Sequence, residues 1–328
     1  MINSLSRVRH VALAATLTAV SLPAAADTFI VAVGAASNSL QGRSAEMFAT
    51  ELQSRLGDAH SVEFYADGQL GDERELMQKL RTGTVQFTLL SSVMTTVADE
   101  FAVFDLPFLV ADREHVVRLH ENLVMTKLAP LAADAGLELI STWENGFRHI
   151  TNNVRPVTLP SDLSGMKLRT PPSEWRVAMF NEYGANASSM AFSELFVALQ
   201  TGTMDGQENP LTNIDGAGLS EVQKYLSLSN HVYSPTYLTS GARIWNNMPE
   251  DVQTAVTEVA ALVQEWSLAE GEAADIALLE KFEAAGMEIN EVDREAFVAA
   301  SVPVYTMFSE RVDGAAEMID AAHALASE

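Results

Sequence analysis

The sequence predicts an α/β protein of two lobes, on three observations. Strand-like and helix-like segments alternate as β-α-β-α-β from residue 28 to residue 90. A second alternating set begins at Met166, and one long helical pattern starts at Pro249. Such alternation implies a mainly parallel sheet with helices on both faces. Two such units in one chain imply a clamp with its binding gap between the lobes, near strand carboxyl ends.

The chain opens with an address. Arg7 and Arg9 give a positive start, Val11 to Leu22 form a short apolar run, and Ala24-Ala25-Ala26 ends it. That order is a secretory signal, with cleavage expected between Ala26 and Asp27. A spanning helix needs about 20 apolar residues, and Pro23 with the alanines shortens this run further. Removing residues 1–26 leaves 18 basic residues against 44 acidic ones, moving the net charge from −24 to −26. So acidic a surface argues against nucleic acid and anionic membranes as partners. The absence of cysteine excludes disulfides, thiol nucleophiles and thiolate metal sites. The 302 residues from 27 to 328 suffice for a core without them.

Thr28 to Val33 reads as a buried strand, and Ser44 to Leu56 as an amphipathic helix stopped by Gly57. Val62 to Tyr65 is the second strand. The next helix starts near Gly71, with Asp72 and Glu73 in the first turn where the dipole favours acids, and stops at Gly83. Val85 to Leu90 is the third strand. A helix over 113–135 precedes a strand from Leu137 that continues toward Ile150.

In the second set, Met166 to Arg169 is a strand and Ser173 to Tyr183 a helix. Phe192 to Leu199 is another helix, and Val222 to Leu228 leads into a further strand. Pro249 then opens a helical pattern to residue 285, with Asn246 or Asn247 available for capping. Two readings of it stand: one helix lying across both lobes, or two helices broken at Gly271.

Catalytic signatures are missing. There is no G-x-S-x-G elbow, H-E-x-x-H, Gly-rich phosphate loop or EF-hand loop. His115 and His120 stand five apart and do not share a helical face. Two arginines stand out by position. Arg169 ends a strand just before Thr170-Pro171-Pro172, and Arg148 lies where the chain is expected to cross between lobes. A planar guanidinium grips a carboxylate through two parallel hydrogen bonds, although either arginine serves equally well in a salt bridge. Asp205 to Pro210 reads as a tight turn presenting amides, or as a solvated loop. Phe192 and Trp175 read as pocket walls or as core.

These pieces fall in a familiar order. They include Asn145-Gly146-Phe147-Arg148, Thr151-Asn152, Arg155-Pro156 and Asp162 to Arg169. They continue through Met190 to Glu194, Ala198 to Gly202 running into Asp205 to Pro210, and Glu221 to Tyr225, with Gln69 to Asp72 upstream. With them the chain resembles the TRAP (tripartite ATP-independent periplasmic) transporter substrate-binding proteins of the DctP type. The resemblance implies a periplasmic-binding-protein-like clamp with hinge strands and one unbroken long helix. The division it implies is 27–145 with about 235–274 in lobe I, and 146–234 with about 275–328 in lobe II.

It further implies that Arg169 clamps a ligand carboxylate. Arg148 would be a second, more variable anionic contact, Asn209 a hydrogen-bonding partner and Phe192 a pocket wall, with Trp175 near the pocket mouth. Where the sialic-acid-binding branch has an asparagine and a glutamate, this chain has Gly34 and Ser91. Sialic acid is therefore disfavoured, and Ser91 joins the expected ligand contacts. Some keto-acid and lactate binders hold a metal through a Glu-Trp pair. Here Glu208 precedes Asn209 and Pro210, so neither metal nor other cofactor is expected. The implied partners are a small carboxylate (sugar acid, C4-dicarboxylate or keto acid) and the small and large membrane permease subunits, with the chain a monomer and not an enzyme. The competing reading is a ligand sensor coupled to a signalling receptor.

Overall fold

The computed structural model describes residues 28–326, so the expected signal at 1–26 lies outside the described residues. β1 (Thr28–Ala32), α1 (Leu40–Leu56), β2 (Ser61–Tyr65), α2 (Glu73–Thr82) and β3 (Phe87–Leu90) follow in the expected order. β2 and β3 flank β1 in parallel. α1 starts four residues before Ser44 because Ser39 caps it, its Oγ accepting the Gly42 N–H at 3.1 Å. α2 opens with a capping box: Asp72 accepts the Glu75 N–H while Glu75 accepts the Asp72 N–H. Gly83 ends it in the left-handed conformation, at φ 80°.

α3 (Arg113–Leu119), a π-helical stretch over His120–Leu128 and α4 (Ala129–Asp134) form the single helical run expected there. The wide turns precede Pro130, which has no N–H to continue an α-helical ladder. β4 (Leu137–Asn152) follows, then β5 (Lys167–Thr170), α5 (Glu174–Glu182), β6 (Asn186–Ser189), α6 (Phe192–Gln200), β7 (Gly206–Pro210), α7 (Leu211–Gly216), β8 (Tyr225–Leu228) and β9 (Tyr233–Gly241). α8 (Ala242–Trp245), α9 (Glu250–Ala284), β10 (Glu288–Glu291), α10 (Arg294–Ala300), α11 (Val302–Arg311) and α12 (Ala315–Leu325) complete the described chain.

The strands join in the order β2-β1-β3-β9-β4-β7-β5-β6, with β8 branching from β4 and β10 from β8. β4 links two half-sheets. It pairs with β9 through Phe147 and with β7 from Arg148 onward. Its register shifts between Glu144 and Gly146, and Gly146 sits there at φ 125° with Pro210 3.2 Å from where a Cβ would lie. Only glycine fits that bulge.

The segment 205–210 is neither a turn nor a solvated loop. Gly206–Pro210 is a fully buried strand, antiparallel to β4 and parallel to β5. Its polar residues are held inside by partners described below.

The long helical pattern is one unbroken helix of 35 residues. Pro249 stands at the N-cap rather than inside the first turn, and neither Asn246 nor Asn247 caps the helix. Val252, Val256, Val259 and Val263 enter a core with Phe48, Phe87 and Trp143. Phe282 enters another with Leu195, Leu199 and Leu226. Burying each such side chain contributes on the order of 1.5–3 kcal/mol, which anchors the helix to both half-sheets. Gly271 is no break: it brings the helix against β4, where a Cβ would stand 2.7 Å from Glu144 Cγ. Around this approach the Trp143 indole donates to the Ala260 carbonyl (3.0 Å), and the Glu144 N–H donates to Ser267 Oγ (3.1 Å). Among the described residues, no helix is long and apolar enough to cross a membrane.

Candidate functional site

A cavity of about 570 Å³ opens between the half-sheets. Gly34 and Ser91, just past β1 and β3, line it from one side. Arg169, Met190 and Phe192 line it from the other, with Asn145 and Arg148 of β4 between. This is where a doubly wound sheet places a ligand, beyond the carboxyl ends of its strands.

Arg169 stands on β5 beside β7, and its side chain is 1% exposed. Its Nε and Nη2 donate to the Met190 carbonyl at 2.9 and 2.7 Å, and its guanidinium lies 5.9 Å from the centre of the Phe192 ring. It forms no ion pair among the described residues, and Nη1 has no hydrogen-bond partner there. Burial, partly offset by Glu208, pulls this guanidinium down to about 9. It is thus a cation at neutral pH that the protein leaves unmatched.

Arg148 is placed differently from a free second clamp. Its Nε bonds Glu208 Oε2, while Nη2 donates to Glu208 Oε1 at 3.0 Å and to the Glu208 carbonyl at 2.7 Å. Glu208 also accepts from Arg176 Nη1 (2.9 Å) and His231 Nε2 (3.2 Å), and Arg176 in turn pairs with Asp105. Burial raises the Glu208 pKa, but Arg148 and Arg176 overcome it and hold the carboxyl well below the usual range. Burial lowers the His231 pKa against the pull of Glu208, and Ser229 is bonded to its Nδ1. The charge of Arg148 is therefore already matched by Glu208 where the cavity begins.

Asn209 lines the cavity, but its amide is engaged at both ends. Oδ1 accepts from Arg148 Nη2 (3.1 Å), and Nδ2 donates to Gln207. Phe192 forms part of the wall. Ser91 lies at the base of the gap, its Oγ donating to the Pro235 carbonyl and accepting from Asn145, which accepts from Asn213. This chain of contacts ties β3, β4, α7 and β9 together under the cavity.

Trp175 requires a correction. It lies outside the cavity lining, 1% exposed, with its ring edge-on to Phe308 at 5.4 Å and Arg311 above it at 4.5 Å. Ser173 caps α5, so the helix begins at once and turns Trp175 toward α11 while Arg176 faces the buried acids. Pro171 and Pro172 themselves line the cavity.

Sequence reasoning missed Glu73 and Arg176. Glu73 lines the cavity from the first turn of α2, with Oε2 accepting the Ser91 N–H at 3.1 Å. Burial, against that hydrogen bond and the charge of Arg169, pushes its carboxyl up to about 7. The one signal available was its place at a helix N-terminus after Gly71, which also explains any exposed acid. Arg176 carried no signal beyond its nearness to Arg169.

Residues 31–311 match the DctP model, bacterial extracellular solute-binding protein family 7. A solute-binding protein of Verminephrobacter eiseniae is 34% identical over 295 residues, covering 89% of this chain and 88% of that one. A Bordetella TRAP periplasmic solute-binding protein, with density interpreted as pantoate, superposes with a TM-score of 0.86 at 33% identity, covering 90% and 98%. The sugar-acid-binding protein of Advenella mimigardefordensis, in complex with galactonate, does so with 0.88 at 29% identity, covering 92% and 99%. The chain therefore belongs to the bacterial extracellular solute-binding proteins of family 7, the DctP family.

Proposed function

We propose that this chain is the periplasmic solute-binding subunit of a TRAP transporter, which captures a small organic acid through Arg169 and hands it to a membrane permease of one small and one large subunit. The observation that carries this reading is the unmatched, buried guanidinium of Arg169 beside an open cavity. Taking a cation out of water without a counter-charge costs several kcal/mol. A ligand carboxylate removes that cost by accepting from Nη1 and from the remaining hydrogen of Nη2. Pantoate and galactonate, seen with the two related structures, both carry such a group.

Capture proceeds by closure of lobe I (27–145 with about 235–274) on lobe II (146–234 with about 275–328). Closing excludes water and strengthens every charge contact inside. Micromolar affinity needs about 8 kcal/mol, of which one charge-assisted pair contributes roughly 1.5–3. The acidic surface does not prevent capture, because screening limits distant charges to about 8 Å at physiological salt. No bond is made or broken in this reading, so the chain is a carrier and not an enzyme.

Calorimetry with a panel of organic acids and neutral sugars tests it. Acids should bind and neutral sugars should not, and Arg169→Ala should cost on the order of 2–5 kcal/mol of binding. A variant that retains affinity within twofold would remove Arg169 from the clamp.

A further inference from the structure

The cavity holds one unmatched cation and, across from it, one carboxyl with a free oxygen. Glu73 reaches the gap from the half-sheet opposite Arg169. Its Oε2 accepts the Ser91 N–H, while its Oε1 has no hydrogen-bond partner among the described residues. The Asp72–Glu75 capping box fixes the backbone on either side of it, and the Ser91 N–H anchors its carboxyl. The other buried arginines at this site offer no second free charge: Arg148 is matched by Glu208, and Arg176 by Glu208 and Asp105. Toward solvent the lining includes exposed Arg74, outnumbered by Asp67, Asp72, Glu75 and Glu194.

A ligand held by Arg169 at one end therefore meets an acceptor at the other. A second carboxylate placed there meets the acidic rim of Asp67, Asp72, Glu75 and Glu194, and like charges disfavour it. A hydroxyl placed there bonds the free Glu73 Oε1 whichever of the two carries the proton, since a hydroxyl both donates and accepts. We infer that Glu73 is the specificity-determining residue of this site, accepting ligand hydroxyls and rejecting a second carboxylate. The ligand class is then a polyhydroxylated monocarboxylic acid rather than a dicarboxylate. The inference rests on the carboxylate clamp proposed above.

The test is titration calorimetry of galactonate, D-erythronate and succinate into wild type, Glu73→Gln and Arg169→Ala. Wild type should bind galactonate or erythronate at least about tenfold more tightly than succinate. Glu73→Gln should narrow that ratio by about tenfold, weakening the hydroxy acid and strengthening succinate, since the amide never carries a negative charge and always offers a donor. Glu73→Ser gives the same readout should the glutamine variant fail to fold. A wild type that prefers succinate, or a ratio unmoved in a folded Glu73 variant, overturns the assignment while leaving the clamp standing. Acids that bind equally well to Arg169→Ala, or none of the three binding at all, overturn the clamp and this inference with it.

Discussion

Arg148 and Glu208 face each other across β4 and β7 as a buried, doubly bonded ion pair, and Arg176 closes it from a third element. Removing one member of such a pair leaves the other charged and unpartnered, at a cost of about 3–5 kcal/mol. Glu208→Ala should therefore lower stability by that order in chemical denaturation, because it strands Arg148 and leaves Arg176 with Asp105 alone. Arg148→Ala should also destabilise, and should weaken ligand binding less than Arg169→Ala does. Wild-type stability in both variants would show the pair to be dispensable.

Arg169 presents the opposite case. Its charge is buried without an ion pair among the described residues, and Glu208 and Glu73 offset the cost only in part, so the empty protein bears a cost that a ligand carboxylate relieves. Arg169→Met should leave the ligand-free protein as stable as wild type, or more stable by on the order of 1 kcal/mol, while abolishing binding. Thermal melts with and without ligand separate the two effects. A large loss of stability in the empty variant would mean that the guanidinium is structural.

Trp175 and Phe192 divide between packing and recognition. Trp175→Phe should change acid affinity by less than about twofold and lower the melting temperature, since it opens space beside Phe308. Phe192→Ala should weaken binding instead, because the ring walls the cavity beneath Arg169. Calorimetry on both variants would expose a reversed ranking.

The two carboxyls at the site give stability opposite dependences on pH. Glu208 is held low when folded. Its contribution is therefore present above the ordinary carboxyl value of 4.5 and is lost as pH falls below it. Glu73 is pushed up to about 7, so the folded state binds the extra proton and stability declines as pH rises from 4.5 to about 7. Denaturation across pH should show Glu208→Gln losing the acid limb and Glu73→Gln flattening the neutral one. Unchanged profiles in both would contradict these assignments.

Gly271 tests the seam between the long helix and β4. Alanine is better than glycine in a helix by about 0.8–1.0 kcal/mol. Yet its Cβ would stand 2.7 Å from Glu144 Cγ, and overpacking costs about 1–3 kcal/mol. Gly271→Ala should thus lower rather than raise the melting temperature. A more stable variant would show that Glu144 gives way freely.

The first half-sheet was legible in the sequence because its signals are local: the apolar runs of β1 and β3, and glycines after α1 and α2. Arg169 was legible as a position, at a strand end before two prolines. β7 was not. Gly-Gln-Glu-Asn-Pro has the composition of a turn, and it is a strand only because Arg148, Thr151 and Arg176 satisfy its polar side chains. The same dependence on distant partners hid Arg176. It separated Trp175 from the cavity as well, since the direction of a side chain on α5 is decided by what packs against it. Glu73 carried a helix-start signal that any exposed acid would share.

β9 lies between β3 and β4 although it is made long after both. A chain emerging from synthesis thus delivers two neighbours before the strand that joins them, and the first half-sheet stays unfinished until Gly241 is available. Pairing across such a separation is slow compared with pairing between neighbours in sequence. Any fragment that stops short of Tyr233 thus loses the one strand that β3 and β4 share.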